Sequence, residues 1–100
     1  MKKLTVKGKI HAKEVKIDLN GALVPDYVFE KSYDLKPIQY LSKDINENKH
    51  LPNIPSEAEI EKEGFKVMEM NLKLLKKIEE LTLYIIQQNK RIDNLEKRVK

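Results

Sequence analysis

The last third of this chain, residues 67–100, constrains the fold more than any other stretch, because it contains no glycine and no proline. Its hydrophobic side chains recur in alternating steps of three and four residues, which is the spacing of a coiled-coil seam. Two polar side chains complete the seam, which consists of Val67, Asn71, Leu74, Ile78, Leu81, Ile85, Gln88, Ile92, Leu95 and Val99. The spacing predicts one helix over 67–100 whose seam is an interface between copies of the chain.

The residues in and beside the seam bear on how many chains associate. In heptad notation, where a and d are the seam positions, isoleucine prevails at a and leucine at d, which favours two chains. The segment RIDNLE, residues 91–96, instead resembles the short trimerisation motif of parallel coiled coils, in which Arg91 forms a bidentate ion pair with Glu96 of the next helix. Gln88 at position d would add a polar layer that fixes the register. We therefore predict a parallel homotrimer, with a dimer as the alternative.

The two halves of the predicted helix differ on the faces away from the seam. The first half carries additional apolar side chains, namely Met68, Met70, Leu72, Leu75, Leu83, Tyr84 and Ile86. After Ile86, every position outside the seam is polar or charged. We therefore expect upstream segments to wrap the first half and the second half to project as a plain coiled coil. A composition of 40% hydrophobic and 36% charged residues is polar for a compact monomer, which also favours a chain completed by partners.

The N-terminal part of the chain has a different periodicity. Residues 4–19 alternate between apolar and polar side chains, and a period of two is typical of half-buried strands. Asn20-Gly21 is a strong signal for a hairpin turn. A third extended segment is predicted at 23–29, where Pro25 suits the edge of a sheet.

Two short helices are predicted between the strands and the long helix. The apolar spacing after Pro37 favours a helix over 37–47, because proline is suited to the first helical position. In the following stretch, NKHLPNIPSEAEI, two prolines exclude helix. Ser56 and Glu59 then have the spacing of a capping box at the start of a second helix, and Gly64 is the expected end of that helix.

These elements predict an α+β fold with short N-terminal β-strands, two short helices and a long C-terminal helix that forms a parallel trimeric coiled coil. The chain divides into a β-structured lead-in over 1–30, a short-helix collar over 31–66 and a coiled-coil helix over 67–100. We expect the three parts to form one intertwined domain.

Several functional classes are disfavoured. The net charge is +4, but the lysines are interspersed with acidic residues, so nucleic-acid binding is not expected. No run of about 18 apolar residues is present, so no membrane insertion is expected. The chain has no cysteine, and His11 and His50 lie on unrelated segments, so we expect no metal site and no cofactor. His50 and Ser56 lack a third orienting group at a defined spacing, so no catalytic activity is expected.

Four stretches, taken together and in order, carry a resemblance to a known family: GKIHAKEVKIDLNG, PDYVFEKSYDL, NKHLPNIPSEAEI and MEMNLKLLKKIEELTLYIIQQNKRI. They resemble the C-terminal domain of bacterial and phage tail-fibre and surface-fibre proteins, which is similar to the intramolecular chaperone domain of endosialidase tailspikes. The resemblance covers nearly the whole chain from about Gly8. It implies a parallel homotrimer in which β-structure leads in from a fibre shaft, short helices pack around it and the C-terminal helices form the central coiled coil.

The chaperone domains of that family often release themselves by cleavage at a Ser-Asp-x-Arg-x-Lys site. The nearest stretch here is SYDLKP, in which the positions after Ser32 hold Tyr33, Leu35 and Pro37 where the family has Asp, Arg and Lys. The cleavage activity is therefore not carried over, and the domain is expected to remain attached as a permanent cap.

The resemblance implies a structural trimerisation and folding cap at the C-terminal end of a tail fibre or surface fibre. Its partners would be two further copies and the upstream fibre shaft, at an extracellular site, on a virion or injection particle, or at the cell surface. One alternative is a fibre tip that binds a host receptor or glycan through Asp26, Tyr27 and Phe29, although core packing of the two aromatic rings competes with that interpretation. A second alternative is a dimeric coiled-coil adaptor.

Overall fold

The molecule is an elongated rod formed by the C-terminal helix, with residues 25–66 packed on one side of it. These residues, which include the 3₁₀ helix and both short α-helices, are called the collar below. The computed structural model describes residues 3–99. A 3₁₀ helix at Pro25–Phe29 precedes three α-helices, which are α1 at Ile38–Asn48, α2 at Glu57–Glu63 and α3 at Val67–Val99. The 33 residues of α3 span about 50 Å at 1.5 Å per residue. The radius of gyration is 18.7 Å, whereas a compact domain of this length would have about 13 Å.

The predicted α+β fold is wrong, because residues 3–99 contain helices and loops but no β-strand. The alternating segment over 4–19 is irregular, and its apolar side chains are exposed, for example Leu4 at 88% and Ile10 at 72%. A period of two arranges side chains for a sheet, but a strand also needs a neighbouring backbone to complete its hydrogen bonds. Within residues 3–99 no such neighbour accompanies this segment. The β-structured lead-in predicted for 1–30 is therefore also wrong for the described part of that range.

The turn signal is confirmed, but the strand predicted after it is not. Asn20 and Gly21 both have positive φ, at 49° and 82°, as their hairpin-type sequence requires. Val24 is extended, which is the usual state before a proline. Pro25 then opens the 3₁₀ helix, because its fixed φ suits the first helical position as well as it suits a sheet edge.

The first short helix agrees with its prediction to within one residue at each end. Pro37 stands immediately before α1, in extended conformation, and Asn48 is the last helical residue. Lys49 follows with a left-handed φ of 64°, and its N–H donates to the carbonyl of Ile45 at 2.8 Å. This hydrogen bond closes the last turn of the helix, and the left-handed Lys49 ends the helix at the start of the 48–60 stretch.

The predicted capping box of the second helix is confirmed. The backbone N–H of Glu59 donates to Ser56 Oγ at 3.3 Å, and the backbone N–H of Ser56 donates to Glu59 Oε1 at 3.2 Å. These bonds hold the pKa of the Glu59 carboxyl below its usual value. Gly64 ends α2 as predicted, with φ of 69° and an N–H that donates to the carbonyl of Ile60 at 2.7 Å.

The small core lies between the 3₁₀ helix and the first half of α3. Val28 and Pro25 are the most deeply buried side chains of the described chain, and Val28 is only 1% exposed. On the α3 side, Tyr84 is 7% exposed. Because the 3₁₀ helix and the loops that flank it cover only one side of α3, the other side remains open along its length.

Candidate oligomer interface

The seam of α3 is exposed from end to end. Its eight apolar residues have exposed fractions that run from 44% for Leu74 to 86% for Val99, and its polar members Asn71 and Gln88 are exposed as well. Exposure of single apolar residues is ordinary, whereas a row of exposed apolar residues about 50 Å long is typical of interaction surfaces. The assignment of these residues to an interface between copies stays a prediction.

The collar lies mainly on the faces of α3 that point away from the seam, and its residues 51–52 share a small hollow with the seam residue Leu81. With Ile78 and Ile85 at position a, the buried Glu79 falls at b and the buried Tyr84 at g, and half-buried Leu72, Lys76 and Leu83 fall at b and f. Five of the seven extra apolar residues of the first half are buried or half-buried, whereas Leu75 and Ile86 remain exposed at 37% and 46%. The predicted cover is therefore partial, and a 3₁₀ helix and loops supply it, not strands. From residue 87 onward every described side chain is exposed.

A cluster of tyrosines and charged residues fastens the collar to α3. Tyr33 Oη donates to Glu80 Oε2 at 2.6 Å, and Lys77 Nζ lies 3.1 Å from Glu80 Oε1 in a largely buried ion pair. Tyr84 Oη donates to the carbonyl oxygen of Lys36, 48 residues away in sequence. Burial and the neighbouring Glu80 raise the pKa of Tyr33 and of Tyr84 above the usual tyrosine value, so both hydroxyls remain hydrogen-bond donors.

A lysine on α3 holds two aromatic rings of the collar together. Lys76 Nζ lies 5.7 Å from the ring centre of Tyr27 and 6.0 Å from that of Tyr33. The two rings are 5.9 Å apart and inclined at 47°, a tilted geometry that aromatic pairs favour. Both lysine distances are within the range of a cation–π contact, so the charge adds to the apolar packing of the collar.

Two carboxyl groups meet where the 3₁₀ helix crosses α3. Glu79 is 93% buried by its neighbours, being only 7% exposed, and its Oε2 has no hydrogen-bond partner among residues 3–99. Burial, a hydrogen bond with Asp26 and the charge of Asp26 raise the pKa of the Glu79 carboxyl, in that order of importance. The protonated form of Glu79 is therefore favoured in the folded chain.

The three residues of the candidate receptor patch have different surroundings. Tyr27 is half-buried in the cluster with Tyr33 and Lys76, and Asp26 faces Glu79. Phe29 is 53% exposed. Of the three, Phe29 alone therefore presents a largely free aromatic surface, and the receptor role of the patch stays a prediction.

The 48–60 stretch, which combines a histidine, a serine and acidic residues, forms a corner. His50 Nδ1 lies 2.9 Å from the carbonyl oxygen of Leu51, and Ser56 caps α2. The corner rests on its own α3, where Leu51 and Pro52 line a hollow of about 50 Å³. The His50 and Ser56 side chains thus each have a hydrogen-bond partner in the backbone of this corner.

The distal half of α3 carries the predicted interchain ion pair. Arg91 and Glu96 are exposed, and within residues 3–99 neither side chain takes part in an ion pair. Beside Glu96, the seam residues Ile92, Leu95 and Val99 line an open apolar groove of about 410 Å³. The predicted partners are therefore placed where a second helix could reach them.

The pairs that fasten the collar were not foreseen from the sequence. Tyr33 with Glu80, and Tyr84 with the Lys36 carbonyl, are separated by more than 45 positions, so no local spacing connects them. The sequence did indicate that Tyr84 is buried, since it is one of the apolar residues outside the seam that we expected upstream segments to cover.

Comparisons of the chain with family models, with curated proteins and with solved structures find no match. Among residues 3–99, no helix combines the length and apolar character that crossing a bilayer demands. The same residues contain no group of three or more His, Cys, Asp or Glu side chains arranged to hold a metal ion.

Proposed function

We propose that this chain is a structural trimerisation module, which assembles through α3 and acts as a folding cap for a fibre. The observation that carries the proposal is the asymmetry of α3. Its own collar covers the outer faces of the first half, while the seam from Val67 to Val99 is left open.

The energetics of the distal half support association. Fixing each residue of a helix costs about 1–2 kcal/mol of conformational entropy, and each helical hydrogen bond returns about 0.5–1.5 kcal/mol. The seam residues Ile92, Leu95 and Val99 are more than half exposed in the single chain, whereas full burial of such a side chain contributes about 1.5–3 kcal/mol. A partner surface is therefore what makes a straight helix up to Val99 stable.

Three chains are favoured over two by the residues beside the seam. Arg91 and Glu96 have the spacing of the trimerisation motif and are both free to pair between chains. A planar guanidinium suits this bidentate contact and a lysine does not. The role as a fibre cap rests on the family resemblance of the four sequence stretches, and with it the extracellular, virion or cell-surface location.

A second candidate is a dimeric coiled-coil adaptor, and one observation favours it. Isoleucine stands at position a in Ile78, Ile85 and Ile92, and leucine stands at d in Leu74, Leu81 and Leu95. That combination is the one that prefers two parallel strands.

A collagen-like peptide fused ahead of Met1 tests the proposal, because a collagen triple helix forms only from three parallel chains in register. A short Gly-Pro-Pro repeat that is unfolded alone should become a triple helix when the module is attached. The same fusion with Ile92→Asp, which places a charge in the seam, is the matched negative control. A module that leaves the repeat unfolded although the module itself is folded would contradict the trimeric cap and favour the adaptor.

A further inference from the structure

The collar does not cover the two flanks of the seam equally. The corner lies along the flank that carries the g positions, where it touches Lys77 and Tyr84 and reaches the seam at Leu81. On the opposite flank, the e-position residues Leu75 and Thr82 are exposed. In a parallel coiled coil the g flank of one helix lies against the e flank of the next.

The hollow on the covered flank is apolar and opens beside the seam. Leu41, Leu51, Pro52, Leu81 and Tyr84 line it. Leu51 is 42% exposed and Leu81 is 56% exposed in the single chain. A chain that docks along the seam must therefore also meet the corner, because the hollow and the seam share Leu81.

The predicted Arg91–Glu96 ion pair sets the register between neighbouring helices, and the register determines which residue of the neighbour lies opposite the hollow. Arg91 at g is matched with Glu96 at e, five positions later in the neighbouring chain. By the same offset of five positions, Lys77 at position g of one chain lies opposite Thr82 at position e of the neighbour. Lys77 is at the edge of the hollow. Thr82 Oγ1 already donates to the carbonyl of Ile78 at 2.9 Å, so the side chain can enter an apolar contact without leaving its hydroxyl unsatisfied.

We infer that the corner is a clasp between protomers: Leu51 and Pro52 of one chain pack on the e flank of the next chain, beside its Thr82. The inference rests on the proposed coiled-coil assembly and deepens it. Each chain gives its corner to one neighbour and receives a corner from the other, and such a head-to-tail contact closes when the assembly has rotational symmetry. The corner would thereby tie the folding of each collar to assembly.

Site-directed cross-linking tests the clasp cleanly, because the chain contains no cysteine. A Leu51→Cys chain and a Thr82→Cys chain are unfolded together, refolded as a mixture and treated with a short bismaleimide, so that a 51–82 link can only join different chains. Both positions are exposed in the single chain, so both variants should fold. We expect the link to form about 1,000-fold faster than between chains that merely collide at about 1 μM, since neighbouring groups have effective concentrations near millimolar.

Two matched mixtures make the outcomes distinguishable. Arg91→Cys with Glu96→Cys reports the register of the coiled coil without involving the corner, and Leu51→Cys with Lys90→Cys places the second thiol on the outward f position. Rapid 51–82 and 91–96 links with a slow 51–90 link support the clasp. A rapid 91–96 link without a 51–82 link overturns the clasp and leaves the coiled coil standing. Absence of both links, with a monomeric light-scattering mass for each mixture, overturns the clasp together with the proposed function.

Discussion

One seam runs through both halves of α3, but the proximal half, residues 67–86, and the distal half, residues 87–99, have different surroundings. Up to Ile86 the helix is fastened to a collar by buried Val28, by the Tyr33–Glu80 hydrogen bond and by the Tyr84 hydrogen bond to Lys36. Beyond Ile86 every described residue is exposed. The proximal half therefore has stabilising contacts within its own chain, while the apolar seam residues of the distal half are left exposed.

The largest expected effect comes from a charge in the distal seam. Ile92→Asp should dissociate the assembly and unfold the helix beyond residue 87, because a charge cannot be buried unpaired in a seam layer. We expect a loss of at least about 3 kcal/mol per chain, since the apolar burial disappears as well. Circular dichroism should show a partial loss of helix, with the collar-bound half retained.

Asn94→Asp is the matched control, because position 94 lies at c, outside the seam, and is exposed. It introduces the same side chain two residues away and should leave both mass and helix content unchanged. An Ile92→Asp protein whose mass in solution equals that of the wild type would contradict the dependence of the distal half on other copies of the chain.

A smaller effect of opposite sign is expected at the polar seam layer. In the proposed assembly, Gln88→Leu replaces an amide in the seam with an apolar side chain and should stabilise the assembly by about 1.5–3 kcal/mol per chain as an upper estimate. The register should become less specific, because a polar layer favours one alignment. Gln87→Leu, at c, is the control and should give no stabilisation in the same thermal melts; a lower melting temperature for Gln88→Leu would argue against its place in the seam.

The proximal half should respond to loss of a single hydroxyl. Tyr84→Phe keeps the ring and leaves the carbonyl of Lys36 without its donor, which should cost about 1–3 kcal/mol while the mass in solution stays the same. Urea denaturation measures the loss. Tyr40→Phe makes the same chemical change at a ring that is 49% exposed and should be nearly neutral, so equal effects at the two positions would contradict the fastening role of Tyr84.

The smallest effect concerns pH. The pKa of Glu79 is raised by burial and by Asp26, so the protonated form is favoured in the folded chain. The contribution of this carboxyl to the free energy of unfolding is therefore fully present below pH 4.5, the ordinary glutamate pKa. This contribution is lost as the pH rises through the raised pKa. Glu79→Gln should remove that pH dependence of the melting temperature, and the exposed control Glu61→Gln should retain it. A wild-type protein that gains stability over this interval, with no change in Glu79→Gln, would contradict the raised pKa of Glu79.

The sequence predicted the parts of this fold that depend on neighbouring residues. The capping box of Ser56 and Glu59, the stop at Gly64 and the unbroken α3 each follow from residues within a few positions of one another. The strands over 4–19 were predicted wrongly, because alternation describes one chain whereas a strand depends on a second backbone. The 3₁₀ helix at Pro25–Phe29 was missed for a related reason, since proline permits both a sheet edge and a helix start and the packing against α3 decides between them.

The candidate interface divides in the same way. The seam and its flanking residues Arg91 and Glu96 follow from a repeat of seven residues, and their role in an interface stays a prediction. The extra apolar residues of the first half of α3 predict that some upstream segment covers them, but they do not identify that segment. Tyr33, Lys36 and Asp26 meet α3 from positions more than 40 residues away. Such contacts arise from the path of the chain through the collar and have no signature in local spacing.

The mass of the protein in solution tests the central claim most directly. Light scattering coupled to size-exclusion chromatography, over a range of micromolar concentrations, should give three times the chain mass of 11.8 kDa. Twice that mass would favour the adaptor over the fibre cap. A stable species of 11.8 kDa that keeps α3 helical to Val99 would contradict the claim that the distal half depends on other copies of the chain.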